Sequence, residues 1–283
     1  MLEFKMGSKS VISLLGCGWL GFPLAESLIL KGFTVMATTT TSSKLEVLKA
    51  AGIDPYLVQF SGAVQIPELK KFFKAETLII TIPPGRKDPH GFENYERMVQ
   101  FVCNQLPQSK VSRVILISST SVYPDINGDI DEHSQVCPDT ESGQLLAKTE
   151  ILLAKQNVNT ISLRLAGLIG PGRMPGRFFA GKTQVADGLA PVNLIHLDDA
   201  VGIILSLIAN KDAYGNFNGC APIHPTREEF YTLAAEIEGL EKPDFISEKN
   251  RWKIISSTRL AAELDYQFEI LSPMDWLRSI KLV

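Results

Sequence analysis

Apolar residues in this chain fall into short unbroken runs: Val11–Leu15, Phe33–Ala37, Pro55–Phe60, Thr77–Ile82, Val114–Ile117 and Thr160–Leu165. Runs of this length, bounded by turn residues, predict strands buried on both faces. Between them, apolar positions recur at spacings of three and four, as in Leu24, Ala25, Leu28 and Ile29, and in Tyr95, Met98, Val99, Val102 and Leu106. That spacing lays one stripe along a helix. Strand and helix alternate, which predicts an α/β fold with a doubly wound parallel sheet. Helices are expected over roughly 19–30, 143–156 and 200–208, and Phe72 and Phe73 in a covered helix or turn.

After Ile208 the elements shorten. A strand is expected over Tyr214–Asn218, and Thr226 with Glu229 forms a capping box that opens a helix. That helix reaches about Glu238, where Gly239 ends it. A short strand over Lys253–Ser257, a helix capped by Ser257-Thr258 and a last helix over Pro273–Ile280 complete the chain. Residues 1–10 read as a ragged lead-in.

The first run ends in Gly16-Cys17-Gly18-Trp19-Leu20-Gly21, a Gly-x-Gly-x-x-Gly between strand and helix. In that context it is a dinucleotide-binding turn. Gly16 permits the tight turn, Gly18 lets backbone approach a pyrophosphate, and Gly21 lets helix and strand pack closely. All six residues are candidate cofactor contacts, aided by the free N–H groups of the helix N-terminus. The second strand runs into Thr38-Thr39-Thr40-Thr41-Ser42-Ser43-Lys44, with none of the carboxylates that an NAD ribose site carries here. The pattern favours NADP and admits NAD, with Thr38, Thr39 and Lys44 near the 2′ position; the same hydroxyls are also suited to capping helix 44–50. The run Thr77–Ile82 breaks at Pro83-Pro84-Gly85, so Thr81 and Pro83 either line the cofactor or end the strand. Arg86, Lys87 and His90 read as solvated loop residues.

Lys plus Arg number 28 and Asp plus Glu 31, a formal net charge of −3. That balance offers nothing to nucleic acid or an anionic membrane. The four cysteines stand far apart, so they form neither a zinc cluster nor a disulfide scaffold. With no signal-like apolar segment, a cytoplasmic protein with a small-molecule substrate is expected. The acids of 125–140 lack calcium-loop spacing, and His196 lacks ligand partners.

The fifth run, Val114–Ile117, opens into Ser118-Ser119-Thr120-Ser121-Val122-Tyr123. Together with Gly16–Gly21, Arg164-Leu165-Ala166-Gly167-Leu168-Ile169-Gly170-Pro171-Gly172 and Asn193–Ala200, this resembles the extended short-chain dehydrogenase/reductase family, its epimerase/dehydratase-like branch. The resemblance covers about residues 11–210. It implies a Rossmann core over 1–165 and a substrate lobe over 166–283, with 194–219 returning to the core. It implies oxidation, reduction, epimerisation or dehydration of sugar nucleotides and related alcohols or carbonyls, and a helix-paired homodimer.

The family's proton relay is a Tyr followed four residues later by a Lys, one face of a helix. Lys148 matches the lysine, with Gln144 where the tyrosine should stand. The resemblance therefore identifies an atypical member. Lys148 remains a candidate for the nicotinamide ribose, Ser119 and Thr120 for the substrate oxygen, and Tyr123 for a substitute acid. Arg173 and Arg177 are candidates for an anionic substrate, and Arg164 for either a substrate or a structural pairing. A sensor that binds the cofactor without turnover is the alternative reading.

Overall fold

The computed structural model describes residues 10–61, 69–85 and 89–280. The expectations for residues 1–9 of the lead-in and for Arg86 and Lys87 lie outside them. Strand β1 (Val11–Leu15), helix α1 (Gly21–Leu30) and strand β2 (Thr34–Thr39) form the opening unit. β1 pairs in parallel with β2, in register Val11 to Thr34, and on its other side with β4 (Thr77–Ile80). β3 (Asp54–Leu57) adds beyond β2, and β5 (Arg113–Ser119) beyond β4, both parallel. With β7 (Asn159–Leu165) and β10 (Gly215–Gly219) the sheet has seven strands, in the order β10-β7-β5-β4-β1-β2-β3. The chain leaves β1 toward β2 and β3 and later returns on its other side. The switch point of this doubly wound sheet therefore lies between the carboxyl ends of β1 and β4, where such sheets hold ligands.

The central strands are largely apolar because helices cover both faces, with Ser13 a buried polar exception in β1. Leu14, Leu78, Ile79, Ile80, Val114, Ile115 and Leu116 are fully buried. Helix α1 buries Leu24, Ala25 and Leu28; α3 (Gly91–Gln105) buries Tyr95, Met98, Val99 and Val102. Phe72 and Phe73 are buried in a single 3-10 turn. Helix α2 (Lys44–Ala50) starts from Ser43 without a side-chain cap, so the threonine and serine run does not supply the expected capping bond.

The chain divides into two compact units. One comprises Met1–Val122, Pro138–Leu163 and Leu207–Asn216, the other Tyr123–Cys137, Arg164–Ser206 and Phe217–Val283. In the second, two small parallel sheets pair β6 (Gly128–Ile130) with β11 (Lys253–Ile255), and β8 (Gly167–Ile169) with β9 (Leu194–His196). Ile169, Val192, Leu194, Phe230, Ala234 and Leu277 form its core. Helix α5 (Leu197–Ala209) carries the fully buried Asp199. Its carboxylate accepts the Tyr266 hydroxyl at 2.8 Å and the Glu269 and Ile270 N–H groups at 2.8 and 3.0 Å.

Helix α6 (Arg227–Ile237) opens on the capping box of Thr226 and Glu229. At α7 (Thr258–Leu264) the expected cap is missing: Ser257 Oγ accepts the Cys220 N–H at 2.9 Å instead. Ser272 caps α8 (Pro273–Ser279). Among the described residues, no helix is long and apolar enough to cross a membrane, and no group of His, Cys, Asp and Glu is placed to hold a metal ion.

Candidate functional site: the glycine turn and the strand ends

The three glycines of the turn meet different surroundings. Gly16 has φ +108°, and a Cβ there would stand 2.7 Å from Ile82 Cγ1 and 2.8 Å from Thr81 Oγ1. A Cβ on Gly21 would run into the carbonyl oxygen of Gly16. Both glycines are required by the protein's own packing. Gly18 is exposed, has an ordinary φ, and a Cβ there would meet nothing within 4 Å. The fold itself sets no requirement for a glycine there. Helix α1 follows with no side-chain cap and no acid in its first turn, so its positive end is not offset locally.

Two threonines hold the turn from either side. Thr38 Oγ1 accepts the Gly16 N–H at 2.9 Å, and its carbonyl accepts the Cys17 N–H at 2.8 Å. Thr81 Oγ1 donates to the Gly16 carbonyl at 2.6 Å. Thr38 lies at 2 % exposure, facing the turn. Thr39 is also buried and accepts the Thr41 N–H at 3.2 Å. Thr40 to Lys44 are exposed. Lys44 stands close enough to Cys17 for its charge to act there: burial pushes the Cys17 thiol up to about 11, and Lys44 opposes the rise. Trp19 is half-buried, Leu20 buried and Pro83 exposed. The turn-holding role of Thr38 and Thr81 was not read from the sequence. The available signal was position: one hydroxyl ends the strand beside β1, and the other follows β4 on its opposite side.

At the end of β5, Ser118 is buried and donates to Glu150 Oε1 at 2.6 Å. Ser119 is half-buried, its Oγ accepting the Ser121 N–H at 3.1 Å, and Thr120 begins a buried 3-10 turn. Helix α4 (Glu141–Ala154), capped by Thr140, supplies Glu150. On this helix Gln144 and Lys148 are both exposed, and Lys148 Nζ donates to Glu96 Oε1 at 2.6 Å. Burial raises the Tyr95 phenol, reinforced by the charge of Glu150.

The second unit holds its own polar cluster. Tyr123 is 1 % exposed. Its hydroxyl accepts from Arg164 Nη1 at 2.6 Å and donates to Asn218 Oδ1 at 3.0 Å. Burial raises its pKa, and the adjacent guanidinium opposes that rise. Asn218 donates its N–H to Glu132 at 2.8 Å, and burial raises that carboxyl. Lys253 Nζ donates to the Tyr123 carbonyl at 2.7 Å and pairs with Asp125 at 3.2 Å. Arg164 thus lies in a buried structural pairing. Arg173 sits in a turn closed by its N–H on the Gly170 carbonyl, and Arg177 is exposed in a 3-10 turn. His196 is buried, its Nδ1 accepting the Asp198 N–H at 3.3 Å, with its ring tilted against Trp276.

The sequence is 38% identical over 268 residues to Protein YeeZ of Escherichia coli K12, covering 93% of this chain and 97% of that protein. No family model matches. Among solved structures, WbmG of Bordetella bronchiseptica in complex with NAD superposes with TM-score 0.77 at 19% identity, covering 95% of this chain and 92% of that one. UDP-glucose 4-epimerase of Thermotoga maritima with UDP-glucose gives TM-score 0.75 at 16% identity, covering 96% and 100%. A protein of unknown function from Silicibacter pomeroyi gives 0.75 at 20%, covering 95% and 97%. At these identities the likeness is one of fold.

Proposed function

Because the chain belongs to one family with Protein YeeZ and has the fold of the epimerase/dehydratase-like extended short-chain dehydrogenases/reductases, we propose that it binds a nicotinamide dinucleotide along Gly16–Gly21 and acts on a carbonyl or alcohol carbon of a small polar, sugar-nucleotide-like molecule. The observation that carries this reading is Gly18. Of the three glycines it alone faces open space, beside an uncapped helix start at the switch point of the sheet. A backbone left bare where the fold does not need it suits close approach of a pyrophosphate.

When bound, the nicotinamide supplies or accepts the hydride. The chain's residues hold and orient. Thr38 and Thr81 fix Gly16, so the turn is set before the ligand arrives. Lys44, exposed just after β2 near Cys17, offers a cation to a 2′-phosphate, which favours NADP. Pro83 lines the edge after β4. Ser119 and Thr120 are the hydroxyls for a substrate oxygen. Tyr123 we read as a packing residue, since both hydrogen-bonding directions of its hydroxyl are taken within the second unit.

That occupied phenol, and the exposure of Gln144, favour a second reading in which the protein binds the cofactor and turns over little, as a sensor. The test is a titration with NADPH and NADH, followed by nicotinamide absorbance and chromatography of the sugar nucleotide after adding UDP-glucose or UDP-galactose with oxidised cofactor. Saturable binding with an absorbance change or a converted sugar nucleotide supports the enzyme, since epimerisation and dehydration return the hydride and leave no net reduced cofactor. Binding with neither change supports the sensor, and absence of binding refutes both.

A further inference from the structure

The reading above leaves open which side chains α4 turns toward the reacting end of the cofactor. The hydroxyls at the end of β5 lie at the carboxyl edge of the sheet, where ligands of such folds sit. A residue of α4 that reaches a ligand there must lie on the helix face that meets those hydroxyls. Two contacts define that face. Gly143 packs beneath Ser121, so closely that a Cβ would stand 2.5 Å from its carbonyl oxygen. Seven residues on, Glu150 takes the Ser118 hydroxyl at 2.6 Å. Leu146 lies between them, three residues from one and four from the other, and is 5 % exposed. Ser142, one turn before Leu146, is 4 % exposed.

Residues two apart on a helix point roughly 200° away from each other. Gln144 and Lys148 are each two residues from Leu146, so both leave the helix on its far side. The exposed stripe Glu141, Gln144, Lys148 and Ile151 traces that side. Lys148 is there paired with Glu96.

We propose that the four-apart pair facing the reacting end of the cofactor is Ser142 and Leu146, not Gln144 and Lys148. The helix then offers one hydroxyl and one apolar side chain, with neither a phenol nor a cation for the ribose. Of that pair Ser142 supplies the hydrogen-bonding group, and Lys148 belongs to the surface. This inference rests on the proposed cofactor site and places its own residues against it.

The test is cofactor affinity in the full chain, followed by quenching of tryptophan fluorescence, with Trp19 in the glycine turn as reporter. Lys148→Met is expected to bind NADPH within about twofold of the unmodified chain, since it removes only an exposed ion pair. Leu146→Lys restores a cation and is expected to tighten binding about tenfold, through a charge-assisted bond to the ribose. Weakening of tenfold or more in Lys148→Met overturns the proposal, as does a cooperatively folded Leu146→Lys that binds no more tightly. If Leu146→Lys fails to melt cooperatively, Lys148→Met decides alone. Failure of the unmodified chain to bind either nucleotide overturns the parent reading, and this one with it.

Discussion

At the scale of single residues, the glycine turn shows that a motif's letters carry separate meanings. Gly16 and Gly21 answer to the protein's own atoms, whereas Gly18 does not. The roles of Gly16 and Gly21 were legible because each has a fixed position between strand and helix. Thr38 was not, because a hydroxyl at a strand end suits a ligand and a turn equally well. Its burial and its bond to Gly16 assign it to the turn. Thr38→Val keeps the shape and leaves the Gly16 N–H without its acceptor. We expect a loss of about 1–3 kcal/mol in urea unfolding, the cost of a buried donor left unpaired. Cys17 supplies a pH test. Its thiol is raised to about 11 by burial, from an ordinary 9.0. The folded state therefore holds this proton more tightly than the unfolded one. The corresponding stability is full below pH 9 and declines as pH rises toward 11. Unfolding free energies at pH 8 and pH 10 should accordingly differ less in Cys17→Ala than in the unmodified chain.

At the scale of elements, α4 marks where sequence pattern runs short. The family resemblance matched Lys148 to a lysine position; the structure adds that its side chain is exposed and paired with Glu96. The buried side of this helix includes Ser142, Thr149 and Glu150, so its inward stripe is not apolar and does not stand out in the sequence. The Ser118–Glu150 bond, which anchors the helix to β5, joins residues 32 apart. Glu150→Gln retains an acceptor for Ser118 and should leave the melting temperature little changed. Glu150→Leu orphans the buried hydroxyl and should cost about 1–3 kcal/mol. Equal effects of the two substitutions would show that the bond does not anchor the helix. The capping box at Thr226 was legible because it is local, whereas Ser257, the same residue type before a helix, is taken by Cys220 from afar.

At the scale of the molecule, alternating strand and helix patterns were enough to predict the doubly wound sheet, because buried parallel strands read as near-continuous apolar runs. The three-residue strands of the second unit were harder to read. β6 pairs with β11 across more than a hundred residues; β11 was legible as the short strand over Lys253–Ser257, whereas β6 carries no pattern of its own. The cofactor's 2′ end lies at the same level of description, since it depends on where the β2 loop runs. Lys44→Met is expected to weaken NADPH about tenfold and NADH hardly at all, as removal of one charge-assisted phosphate contact would; equal effects on both would remove Lys44 from the 2′ position.

The central claim is that Gly18 is bare for the sake of a bound dinucleotide. Gly18→Val tests it most directly, because the protein has space for the side chain. Calorimetric titration with NADPH and NADH, paired with a thermal melt, gives both required readings. We predict an unchanged melting temperature and binding of the favoured nucleotide weakened at least about tenfold, the loss of roughly one backbone contact to a charged group. A variant that melts normally and binds as tightly as the unmodified chain would contradict the account.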